Sequence, residues 1–167
     1  MNNQEYEDIL QTFKRQLELT KELIKTADFK FDAIKNNDTD SLMDLTNKEE
    51  QFAREIIQLE KKRDVYIKKL EKEKNEKITH ISQVIGELSL DMSVSLALLA
   101  EELKYNLEIL QEKNNINQDM IVFVLEQIEI ANNLIRGDRV PNTYKNTKFN
   151  KKTYSNTEQD SYFDIKY

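Results

Sequence analysis

At 167 residues the chain holds about one domain's worth of material; 34% of it is charged, and only two glycines and one proline interrupt it. That composition excludes the glycine-rich turns and alternating strands of an α/β or all-β fold and points to long helices. With no cysteine it can form neither a disulfide nor a thiolate metal site, and a net charge of −6 argues against a binder of phosphate backbones.

The first helix is predicted over about residues 4–35. Apolar residues recur there at 3/4 spacing, from Tyr6 through Leu10, Phe13, Leu17, Ile24, Ala27, Phe31 and Ile34, broken only by Thr20. Asn36 to Asp40 is a cluster of turn and cap residues, with Asp38 or Asp40 placed to accept the first free amides of the next helix. A second helix, about 41–75, carries Leu42, Leu45, Phe52, Ile56, Leu59, Tyr66 and Leu70, with Glu49 and Arg63 at positions of the same rhythm. Two long helices joined by five residues make an antiparallel hairpin.

The stretch Lys69–Lys77 would be solvated on every side, so it either projects from the bundle or frays. Ile78, Ile81, Val84, Ile85 and Leu88 form a short amphipathic segment over about 78–88, weakened by Gly86. Ser89, Asp91 and Ser93 then offer caps for the longest helix, about 93–135. Its seam runs through Leu96, Leu99, Leu103, Leu110, Ile121, Val124, Ile128, Ala131 and Ile135, with Asn106, Asn114 and Asn117 where apolar residues would otherwise sit.

Those asparagines admit three readings. The helix phase can shift locally, since Leu107 can replace Asn106 in the stripe. A seam asparagine can fix register at some cost in stability. Or this part of the stripe is an open groove that takes a foreign helix. Met120-Ile121-Val122-Phe123-Val124-Leu125 and Leu96–Ala100 are apolar around more than one narrow stripe. The last helix therefore sits centrally in the bundle or presents a second apolar face to a partner.

The expected fold class is all-α: an elongated antiparallel bundle or coiled-coil hairpin with a long final helix, residues 1–136, followed by a disordered polar and aromatic tail, residues 137–167. The body is the more acidic part, with 19 basic and 27 acidic side chains, a net of −8. The tail carries Pro141, the echo TYKNT and TYSNT at 143–147 and 153–157, and four of the seven tyrosines. Such low-complexity sequence cannot bury enough to order itself, but its aromatics suit docking of a short motif; the alternative is a plain solubilising tail. No apolar run is long enough to span a membrane, and the N-terminal stretch is acidic rather than a basic lead into an apolar core, so the expectation is a cytoplasmic protein without membrane insertion.

Chemistry finds little purchase. His80 is the single histidine, with Glu76 four residues before it and no carboxylate at the i−3 spacing of di-iron bundles. The paired acids Glu49-Glu50 and Glu101-Glu102 lie among lysines and suit surface ion pairs. There is no glycine-rich phosphate loop and no serine elbow. The expectation is no catalytic centre, no metal, no cofactor and no nucleic-acid partner.

The order of features resembles the FlgN-type flagellar export chaperones. The turn and helix entry DTDSLMDLTNKEEQF (Asp38 to Phe52) is followed by IIQLEKKRDVYIKKL (Ile56 to Leu70), similar to the family's spaced leucines, Lys-Glu pair and later leucine and arginine. The likeness resumes at EELKYNLEILQEKNNINQDMIVFVLEQIE, where Asn114-x-x-Asn117 runs into an apolar helix, and ends in a tyrosine-bearing polar tail. The glycine usual a few residues after the family's tail tyrosine is absent here.

The resemblance implies a chaperone that covers the C-terminal helical segment of hook–filament junction proteins, keeps it from premature self-association and delivers the subunit to the export gate. It places client contact on the last helix, at Leu99, Leu103, Leu107, Leu110, Asn114, Asn117, Ile121, Val124, Leu125 and Ile128, and docking to an export-gate component at Tyr144 and Tyr154. The alternatives are a helical chaperone for a different flagellar client, or a structural coiled coil that self-associates through the same stripes as a homo-oligomer.

Overall fold

The computed structural model describes residues 3–78, 81–86 and 88–136. Among these there are four helices and no strand: α1 (Asn3–Lys35), α2 (Thr39–Lys74), α3 (Ile81–Ile85) and α4 (Leu90–Arg136). All four match predicted elements, with the short one reduced to a single turn and a half and the last extended by three residues at its start.

Local chemistry explains the ends. The amide of Asp38 donates to the Ala33 carbonyl and that of Asn37 to the Ile34 carbonyl, closing α1 with Asn37 in the left-handed region at φ 54°. This pair of bonds satisfies carbonyls that the helix end would leave open. Asp38 then turns to its other neighbour. Its carboxylate accepts from the Ser41 amide at 3.0 Å and the Ser41 hydroxyl at 2.7 Å, capping α2. These bonds hold the Asp38 carboxyl below the usual range. α2 stops at Lys74, with Asn75 left-handed at φ 53°, so the charged stretch ends the helix rather than bending it.

α1 is the middle of the structure. α2 runs antiparallel to it, with Tyr66 donating to Asp8 and Lys69 paired with Glu5 at one end and Lys30 paired with Glu49 toward the other. α4 runs parallel to α1. Tyr6 donates to the Met92 carbonyl, Lys21 pairs with Glu102, Lys113 with Asp28, and Asn117 donates to the Ala27 carbonyl. Along the described backbone α2 and α4 each pack on α1 and not on each other.

That placement makes α1 the most buried helix. Beyond the predicted stripe it buries Ile9, Thr12, Gln16, Leu19, Leu23, Thr26 and Ala33. At about 100° per residue the buried positions cover roughly 220° of its circumference, enough for two neighbours. A cue stood in the sequence: Thr12, Leu19, Thr26 and Ala33 repeat every seven residues beside the first stripe. The central core joins Tyr6, Ile9, Leu10, Phe13 and Leu17 to Leu96 and Leu103 of α4, with Tyr66 of α2 packed against it. Ile67 and Leu70 of α2 gather Ile78 and Val84 into a smaller cluster that ties down the connection to α4.

The polar residues in the seams are used within the chain. The Lys30–Glu49 pair closes at 2.6 Å with both side chains largely covered. Arg63 is buried with its guanidinium 5.7 Å from the centre of the Phe13 ring, and burial pushes its pKa down while Glu60 and Asp64 oppose the shift. Asn106 donates to the Glu102 carbonyl of its own helix while Leu107 packs on the core, so the stripe does change phase there. Gln16 is buried, and its Oε1 meets no donor among the described residues.

Candidate binding surface

The lengths of α1 and α4 define the surface. The bonded pairs between them differ by 81 to 90 residues, which sets Lys35, the last residue of α1, level with about residue 121 of α4. α4 continues to Arg136. Its last fifteen residues therefore overhang the α1–α2 turn by roughly 22 Å at 1.5 Å per residue. No other described helix runs beside this free end.

Its chemistry is unusual for an uncovered helix. Ile121, Val122, Phe123, Leu125, Ile128, Leu134 and Ile135 are exposed, with Leu125 at 59% and Ile135 at 83%. The charged groups among them are Glu126, Glu129 and the terminal Arg136. On a helical projection the apolar side chains other than Val122 fill a broad arc, with Glu126, Glu129 and Arg136 gathered around Val122 on the remainder. An apolar strip of this extent on one helix is of the kind found at interaction sites.

The predicted client-contact residues divide at the point where α1 ends. Leu103 is 2% exposed and Asn117 5% exposed, and both lie inside the bundle. Asn117 is held at 2.8 Å on the Ala27 carbonyl, so it sets the register of α4 on α1, the second of the three readings. Leu99 and Leu107 pack against the central core, and Leu110 is half-buried. The single continuous face expected from Leu99 to Ile128 is thus corrected: its first part is interior. Asn114 is exposed but level with α1. Ile121, Leu125 and Ile128 lie on the open end, with Val124 half-buried between them.

Of the open-end residues, Val122, Phe123, Leu134 and Ile135 were not among the predicted contacts. The cue was the run of six apolar residues from Met120 to Leu125, too dense for one stripe. The last helix is also not central: it faces α1 from about Met92 to Asn117, and its apolar surface beyond that is open. Tyr144, Tyr154 and His80 lie outside the described residues.

No group of three or more histidine, cysteine or acidic side chains is placed to hold a metal among the described residues, and no helix among them is long and apolar enough to cross a membrane. The family model described as "FlgN protein" matches residues 1–152, from the start of the chain through α4 and sixteen residues beyond it. Neither a curated protein nor a solved structure matches the chain.

Proposed function

The chain belongs to the FlgN family, whose role is that of a flagellar export chaperone, and from that premise we propose that it holds the C-terminal segment of hook–filament junction proteins on the free end of α4. The observation that carries the reading is the overhang. A helix with exposed Ile121, Phe123, Leu125, Ile128 and Leu134 and no neighbour offers one side of a helix pair and lacks the other.

An amphipathic segment of about four turns, roughly 22 Å, would complete it. Filament subunits carry such segments unpaired before assembly, and covering them in the cytoplasm prevents premature association. The acidic body keeps the loaded complex soluble. Client contact falls on Ile121, Val124, Leu125 and Ile128 from the predicted set, joined by Phe123 and Leu134. Leu99, Leu103, Leu107, Leu110 and Asn117 support the helix from within the bundle, and Asn114 borders the contact. Tyr144 and Tyr154 are the positions proposed to dock on the export gate. Tyr144 falls within the family match and Tyr154 beyond it.

Calorimetric titration with C-terminal peptides of the organism's own junction proteins tests this directly. Saturable binding with a negative heat-capacity change is expected, and Leu125→Glu with Ile128→Glu should abolish it without loss of helicity. Absence of binding, together with a fixed, concentration-independent oligomer by light scattering, would replace this reading with a self-associating coiled coil. Tyr144→Ala with Tyr154→Ala should lower secretion and leave peptide binding intact; loss of binding instead would defeat that division of labour.

A further inference from the structure

Besides its free end, α4 carries a second apolar stripe along the part that α1 supports. Val94, Leu98, Tyr105 and Ile116 are exposed, Leu98 at 67% and Tyr105 at 63%, with Ile109 half-buried between them. At about 100° per residue they lie roughly 140° around the helix from Leu96, Leu103 and Asn117, which face α1, and they extend over roughly 33 Å. The two edges of the stripe differ. On one, Glu102 and Lys113 are engaged by Lys21 and Asp28 of α1. On the other, Glu101, Glu108, Glu112 and Asp119 form an exposed ladder of acids at 7/4/7 spacing. Lys104, the remaining cation of this stretch, lies beyond the ladder, away from the stripe.

The geometry points to this face as a docking site for a helix of a second protein, one with an apolar stripe and a basic edge. Charge selects that occupant. Two copies of α4 paired antiparallel through the stripe would set one acid ladder against the other. Paired parallel, each ladder would meet an edge already engaged by α1. A helix with lysine or arginine along one edge answers Glu101, Glu108, Glu112 and Asp119, while its apolar residues cover Leu98, Tyr105 and Ile116. Leu125 and Ile128 continue the α1-facing side of α4, so this site differs in position and direction from the one proposed for the client. It does not rest on the client role, and occupation of one site leaves the other open.

The probe is a synthetic amphipathic helix of about six turns, with a leucine stripe and lysine along one edge, set against the same peptide with glutamate for lysine. Anisotropy titration of the full chain should show the lysine peptide binding at least about tenfold tighter, an advantage that shrinks as salt rises. Leu98→Ser with Ile116→Ser changes only exposed positions, so helicity should hold while the lysine peptide weakens about tenfold or more. Glu101→Lys, Glu108→Lys and Glu112→Lys together should turn the preference to the glutamate peptide. Equal affinity for the two peptides, or a preference that survives the charge reversal, would overturn the site. So would binding lost in Leu125→Glu with Ile128→Glu and kept in Leu98→Ser with Ile116→Ser, which would place the peptide on the free end. A parent dimer by sedimentation that becomes monomeric in Leu98→Ser with Ile116→Ser would also overturn it, and give the face to a second copy.

Discussion

Leu103 and Leu125 sit on the same helix, about six turns apart and opposite in fate. Leu103 is in the core with Tyr6, Phe13 and Leu96, while Leu125 is more than half exposed. Nothing in the side chains separates them. The difference is that α1 has 33 residues and α4 has 47, so the helix that buries the first part of α4 runs out before the second part begins. Apolar sequence is therefore a core in one region and an uncovered strip in the other, decided by the length of a neighbour.

The largest effect that should expose this contrast is on stability. Leu103→Ala should destabilise the fold by about 2–5 kcal/mol through lost burial and a cavity, measured by urea unfolding. Leu125→Ala should fall within about 0.5 kcal/mol of the parent, as a surface change does. Comparable losses at both positions would mean that the free end is packed in solution.

The polar members of the α1 seam give the next effect. Asn117→Ala should cost about 1–2 kcal/mol by removing the bond to the Ala27 carbonyl within the interface. Gln16→Met, by contrast, removes a buried acceptor without a donor and should raise stability by about 1 kcal/mol. The two substitutions sharpen the contrast because neither should change peptide affinity if the proposed site past the end of α1 is the one used.

The smallest effect is on acidity. Asp38 and Glu55 both titrate below the usual carboxylate range, Asp38 through its bonds to Ser41 and Glu55 through its bond to Arg15. A depressed carboxyl pKa adds stability above the unfolded-state value, and that contribution fades as pH falls through the folded-state value. Both groups lie on the α1–α2 hairpin. Amide exchange near Asn36–Leu42 and around Glu55 should therefore quicken below about pH 4, before the α1–α4 core residues respond. Simultaneous loss of protection across the molecule would show that the hairpin and core open as one unit.

Much of this was legible from residues alone. The 3/4 apolar rhythm and the scarcity of glycine and proline determined long helices, and Asn36 to Asp40 marked the turn because asparagine tolerates positive φ and aspartate caps amides. The absence of catalytic clusters in the sequence and the match of the turn and asparagine-marked helix to a chaperone family pointed to a holding function. Tertiary structure decided the rest. Periodicity reports that a stripe needs a neighbour and says nothing about which neighbour or where it ends. Only the packing shows that α1 lies in the middle, that Glu49, Arg63 and Asn117 are answered within the chain, and that α4 outruns its support, leaving Ile121 to Ile135 open to another helix.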